Sequence, residues 1–159
     1  MKIIHRRCAG MDVSKRDAKV CVRVAGAGRR KTVETVRTWA STTNAILALR
    51  EHLINQQVSL VVMEATGEDW KPFYYLLDRA GFELMLVNAR QVKNLPGRKS
   101  DVLDAAWLAQ LAAHGLVRGS FVPPPAIREL RDLTRARTMM TRERGREIQR
   151  LENLRQTFL

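Results

Sequence analysis

The segment VSLVVMEA at residues 58–65 constrains the fold more than any other stretch of this chain. A strand with one wet face alternates apolar and polar residues. This run is nearly continuous in apolar ones and reads as a strand buried on both faces. A sheet built around such a strand needs helices on both sides. The run closes on a charged residue, Glu64, where the apolar pattern stops.

Upstream, CAGMDV at 8–13, AKVCVRVA at 18–25 and KTVETVRT at 31–38 are β-branched and partly alternating, separated by the breaks SKRD and GAGRR. They read as a meander of three antiparallel strands. Ser41 or Thr42 then offers an N-cap to a helix with Ile46, Leu49, Leu53 and Ile54 on one face. Beyond the buried strand, a helix from about Asp69 to Arg79 carries Phe73, Tyr74, Leu76 and Leu77 and is expected to close at Gly81. FELMLVNA follows as a fifth strand, then the polar loop RQVKNLPGRK, and Ser100 opens an Ala- and Leu-rich helix ending near His114 and Gly115.

Three strands, helix, strand, helix, strand, helix is the order of an α/β, ribonuclease-H-like mixed sheet of about five strands flanked by helices. Pro123, Pro124 and Pro125 then punctuate the chain, so residues 1–122 read as one domain and 123–159 as a Pro-rich linker with a long helical extension. In that extension apolar residues recur at Ile127, Leu130, Leu133, Met139, Met140, Ile148, Leu151, Leu154 and Phe158. Thr134, Arg137, Thr141, Arg144 and Gly145 interrupt any strict heptad, and the stripe favours helix-mediated pairing into a homo-oligomer.

Charge narrows the partner. Lys and Arg number 28 against 16 Asp and Glu, a balance of +12. Arg supplies 21 of the cations, and its planar fork suits phosphate, so a nucleic acid is the expected partner. Arg128, Arg131 and Arg135 on the extension are candidates for backbone contact, as are Lys15, Arg98 and Lys99 in the loops. Cys8 and Cys21 lack metal-site spacing and read as buried strand thiols in a reducing cytosol, and His5, His52 and His114 show no ligand spacing. Gly26–Gly28 is a hairpin turn and not a phosphate loop, because neither GK[ST] nor a helix follows it. Trp70, Phe73, Tyr74 and Tyr75 lie at helical spacing, which favours core packing over base stacking for most of them. No run is long enough for a membrane span, and the basic start is unlike a signal peptide, so a cytoplasmic protein without membrane contact is expected.

Four acids occupy places that such a fold brings together. Asp12 ends the first strand, Glu64 ends the buried one, and Asp101 and Asp104 are spaced i, i+3 on the first turn of the third helix. Like carboxylates a few ångströms apart repel, and a divalent cation removes that cost. Oxygen-rich sets select Mg²⁺ or Mn²⁺, and two ions about 3.5–4 Å apart suit phosphodiester transfer. Asp101 and Asp104 could equally favour the helix dipole behind Ser100, and Asp12 could be a turn acid. Asp104, however, shares a face with Leu108 and Leu111.

GMDVSK at 10–15, MEATG at 63–67 and NLPGRKSDVLDAAWLAQLAAHGLVRGSFVPP at 94–124 resemble the amino-terminal domain of the DEDD transposases of the insertion-sequence 110 family. The likeness continues through IRELRDLTRAR and covers nearly the whole chain; Asn88-Ala89 departs from the family's usual Asn-Pro. The resemblance implies a RuvC-like fold in which Asp12, Glu64, Asp101 and Asp104 match the metal ligands, and a role in DNA recombination that moves an insertion element. It also implies a second, carboxy-terminal domain with a nucleophilic serine, helices that help dimerise the enzyme, and a structured guide RNA. Ser14, Ser41, Ser59, Ser100 and Ser120 do not match that serine, so the chain is expected to need a further domain for complete strand exchange. The alternatives are a self-sufficient junction-resolving nuclease, and a non-catalytic module that binds nucleic acid and dimerises.

Overall fold

The computed structural model describes residues 2–65, 67–78, 80–88, 92 and 104–157. Two compact units result, Met1–Phe121 and Val122–Leu159. In the first, strands β1 (Arg7–Val13), β2 (Asp17–Val24) and β3 (Val33–Ala40) precede helix α1 (Thr43–Asn55), and β4 (Leu60–Ala65), α2 (Trp70–Leu77), β5 (Glu83–Asn88) and α3 (Asp104–Ala113) complete it. The five strands form one sheet in the order β3-β2-β1-β4-β5. β1, β2 and β3 pair antiparallel, whereas β1 with β4 and β4 with β5 pair parallel. This is the mixed sheet expected from the element order.

The central strands are buried on both faces because helices cover each. Cys8 of β1, Leu60 and Val62 of β4 and Val87 of β5 form one cluster with Trp107, Leu108, Leu111 and Ala112 of α3. Alternation sends Ala9, Met11, Val61 and Met63, all 0% exposed, to the opposite face, the side of α1 and α2. There Ile46, Leu49 and Leu53 of α1 and Phe73 and Leu77 of α2 are buried.

On the first face α3 approaches the sheet with small residues. A Cβ added to Gly10 would lie 2.7 Å from Leu108 Cβ and closer still to the Ala105 carbonyl oxygen and the Ala109 amide. The Cys8 thiol donates to the Ala109 carbonyl at 3.3 Å. Cys21, opposite Gly10 in the β1–β2 ladder, packs with Ala105 and Ala109. At the far end the amide of Ile4 donates to the Ala113 carbonyl at 2.8 Å. Successive helix residues 113, 109 and 105 therefore meet chain residues 4, 8 and 10, so α3 runs antiparallel to β1.

Some boundaries differ from the expected ones. β3 begins at Val33, two residues later than the predicted 31, because a turn closed by the Arg30 amide on the Ala27 carbonyl at 3.1 Å lengthens the hairpin loop. α2 ends at Leu77, with Asp78 at its C-cap in an extended conformation; the expected end near Arg79 lies outside the described residues. Gly81, the predicted cap, instead takes φ 89° in the turn into β5. Thr42 caps α1 by position, without a side-chain hydrogen bond. The edge of β5 is shielded by the Ser120 amide, which donates to the Leu86 carbonyl at 2.6 Å.

The second unit holds helix α4 (Pro125–Thr157), 33 residues and, at 1.5 Å per residue, about 50 Å long. None of its described side chains is buried, and Leu130, Leu133, Met140 and Leu151 are at least 60% exposed. Among the described residues no helix is long and apolar enough to cross a membrane.

Two outcomes follow from the α3 seam. Gly10→Val forces α3 off the sheet and should cost about 3 kcal/mol, read as a lowered urea midpoint. The second concerns the thiols. Burial, opposed by Arg23, pushes Cys8 up to about 11, and burial assisted by Glu34 pushes Cys21 up to about 12, from an ordinary 9.0. The unfolded chain thus releases these protons at lower pH than the folded one. Stability should fall as pH rises from about 9.0 toward 11–12, and Cys8→Ala/Cys21→Ala should flatten that decline in denaturation measured against pH.

Candidate active site

The register of the sheet decides which acids meet. The β1–β4 ladder pairs Cys8 with Leu60, Gly10 with Val62 and Met11 with Met63, and the next residues on the two strands are Asp12 and Glu64. Neighbours in a parallel pair point to the same face, and Asp12 and Glu64 continue the series Cys8, Gly10 and Leu60, Val62 that lies under α3. Because α3 runs antiparallel to β1, the residue before Ala105 lies toward the Asp12 end of the strand. That residue is Asp104, the first described residue of the helix. Asp12, Glu64 and Asp104 are therefore brought to one edge, outside the carboxyl ends of β1 and β4, where open α/β sheets hold their ligands.

Glu64 is 6% exposed and is the one buried charged residue among those described. Withdrawing a carboxylate from water costs several kcal/mol unless charge or hydrogen bonds compensate it, so its position is not that of a surface acid. Asp12 and Asp104 are half-buried. No three His, Cys, Asp or Glu side chains form a metal-holding group among the described residues. Asp101, Arg98 and Lys99 lie outside the described residues.

Cations rim the same edge. Asp12 stands directly opposite Lys19 in the β1–β2 ladder, on the α3 face. Opposed residues place their Cβ atoms about 4.5–5.5 Å apart, within reach of a lysine. The turn after β1 is fixed by Ser14, whose hydroxyl donates to Asp17 Oδ1 at 2.7 Å, and by the Ser41 hydroxyl, which donates to the Lys15 carbonyl at 2.8 Å. Lys15 and Arg16 are thereby presented, exposed, three and four residues beyond Asp12. Sequence reading named Lys15 but missed Arg16 and Lys19. The signal for Lys19 was available: a four-residue turn at 14–17 pairs 13 with 18 and hence 12 with 19.

The aromatic residues divide. Phe73 is fully buried core, as expected. Trp70 and Tyr74 are half-buried and Tyr75 is 41% exposed, and their rings meet edge-on with centroids 5.5–6.3 Å apart. Core packing thus claims fewer of them than their spacing suggested. Arg128, Arg131 and Arg135 lie on α4, with Arg128 half-buried and the other two exposed.

The sheet order, the helices on both faces and the acids at the strand ends define a RuvC-like fold. The Thermus thermophilus RuvC structure solved with a Holliday junction substrate superposes with a TM-score of 0.52 at 15% identity, over 73% of this chain and 100% of that one. The fowlpox virus resolvase solved with substrate Holliday junction DNA gives a TM-score of 0.40 at 10% identity, over 59% of this chain and 65% of that one. Comparison with curated protein sequences returned no match. The family model of the insertion-sequence 110 DEDD group, described as "Transposase", matches residues 9–159, and the chain belongs to that family. Membership in a family of DNA-cleaving transposases makes it an enzyme domain acting on DNA.

Proposed function

We propose that Asp12, Glu64, Asp101 and Asp104 are the catalytic acids of a transposase domain that acts on DNA phosphodiesters during movement of an insertion element. The observation that carries this is the placement of Asp12 and Glu64 on adjacent parallel strand ends, facing the helix whose first described residue is Asp104. The donor set fits a hard divalent cation: carboxylate oxygens only, one of them on the buried Glu64. Mg²⁺ or Mn²⁺, as one ion or two, supplies charge stabilisation for the attacking and leaving oxygens of phosphodiester transfer when bound.

The protein's own groups do the rest. Glu64 and Asp12 are held rigidly by their strands, so the carboxylates are positioned before substrate arrives. Lys15, Arg16 and Lys19 at the rim attract the DNA backbone and offset the repulsion that a phosphate meets on nearing an acidic site. Arg98 and Lys99 extend that rim, and Arg128, Arg131 and Arg135 provide further backbone contacts from α4. The exposed apolar row of α4 supports pairing of this helix with that of a second copy. A structured guide RNA fits the same basic character.

Titration calorimetry with Mn²⁺ or Mg²⁺ tests the site without requiring turnover. Wild type should bind, and Asp104→Ala and Glu64→Gln should each weaken binding at least about tenfold, the loss expected when a ligand or its orientation goes. Equal binding by wild type and both variants, with DNA present as well as absent, would remove the proposed role.

A further inference from the structure

The β2–β3 hairpin gathers charge at the end of the sheet away from the carboxylates. Between Val20 and Val33 the chain has no acid and four cations, Arg23, Arg29, Arg30 and Lys31. Arg23 is taken by an ion pair with Glu34. Arg29, Arg30 and Lys31 are exposed and form no ion pair among the described residues.

The loop that carries them is built, with its limbs in contact. Gly28 takes φ 59° in the turn closed by the Arg30 amide on the Ala27 carbonyl. A Cβ at Gly26 would lie 2.6 Å from the Arg30 carbonyl carbon and 2.8 Å from that of Lys31, so the two limbs touch where only glycine fits. Arg6 ties this loop to the start of β1: its Nη2 donates to the Gly26 carbonyl at 3.2 Å and its carbonyl accepts from the Ala25 amide at 2.7 Å. The result is a cleft of ≈ 550 Å³ lined by Arg6, Arg7, Gly26, Arg30, Lys31 and Val33 among others. Arg7 is partly engaged, donating to the Gln56 carbonyl at 2.6 Å.

We propose that this cleft is a second nucleic-acid contact, in which Arg6, Arg30 and Lys31 of its lining, with the exposed Arg29 of the adjoining turn, seat the phosphodiester backbone of duplex DNA. Cations held around one concavity repel one another, and an anion that bridges them relieves that cost. The guanidinium forks of Arg6, Arg29 and Arg30 match paired phosphate oxygens, and because the neighbouring acid, Glu34, is taken by Arg23, the remaining cations leave a positive field for a polyanion. From Arg7 to Asp12 β1 advances about 17 Å, at 3.3 Å per residue. That is about five nucleotide steps along one strand of a duplex, so the hairpin holds DNA at a distance from the phosphate at the acids. The contact is independent of metal binding at the four acids.

The test uses the full chain and a labelled DNA duplex of about 30 base pairs, with affinity read by fluorescence anisotropy across a salt series. Arg29→Ala/Arg30→Ala/Lys31→Ala should keep the wild-type melting temperature, weaken binding at least about tenfold at low salt, and lower the slope of log affinity against log salt by about 3. Removing equal charge from α4, as Arg142→Ala/Arg144→Ala/Arg146→Ala, should cost clearly less. Asp12→Asn/Asp104→Asn should leave the difference between the two triple variants in place, which separates this contact from the acid site. Equal losses from the two triple variants, or an unchanged salt slope in the hairpin variant, would overturn the proposal. Tighter, hairpin-dependent binding of an RNA duplex of the same length would overturn the assignment to DNA.

Discussion

The docking of α3 onto Gly10 is the contact on which the rest of this domain depends. Helix and sheet approach so closely that the Ala105 carbonyl and Ala109 amide occupy the space a Cβ at Gly10 would need. Cys8 and Cys21 flank that point with small side chains, and Ala105, Ala109 and Ala112 answer them from the helix. A seam of small residues allows little sliding, because any shift along β1 drives a larger neighbour into backbone. It sets the height of α3 along the strand and so brings Asp104 to the strand end that carries Asp12.

The sheet carries chemistry of opposite kinds at its two ends. At the carboxyl ends of β1 and β4, acids sit on rigid strands with Lys15, Arg16 and Lys19 around them. At the other end, Arg6, Arg29, Arg30 and Lys31 outnumber the one neighbouring acid, Glu34, which is paired with Arg23. A DNA-processing domain needs both arrangements. On the proposed function, positive charge would draw in and hold the backbone, and the acids would hold cations against it.

Much of the fold was legible in the sequence because its signals are local. VSLVVMEA could be read as a doubly buried strand from its apolar run alone, and its residues Val61, Val62 and Met63 are fully buried. The meander was readable from β-branched runs split by SKRD and GAGRR. The end of α2 was not, because Gly81 looks like a cap in sequence while the chain leaves the helix at Asp78 to reach β5. The later start of β3 was hidden for a related reason: the close approach of Gly26 to Arg30 and Lys31 is a contact across the loop and leaves no periodic trace. Among the site residues, Asp12, Glu64 and Asp104 stood out as acids where apolar patterns end. Lys19 did not, since one lysine in an alternating strand looks like ordinary solvated charge.

The sequence by itself determined the element order, the buried central strand and the positions of the acids along their elements, because hydrophobic periodicity and turn chemistry act over a few residues. It also determined an excess of 28 cations over 16 acids and hence the kind of partner. Only the tertiary structure decided which face each acid shares and which neighbours it meets. Parallel pairing of β1 with β4 sets Asp12 beside Glu64, the antiparallel run of α3 along β1 turns Asp104 toward them, and the hairpin collects Arg6 with Arg30 and Lys31. These juxtapositions join residues up to about a hundred positions apart, fixed by strand register and the close packing of one helix on one glycine.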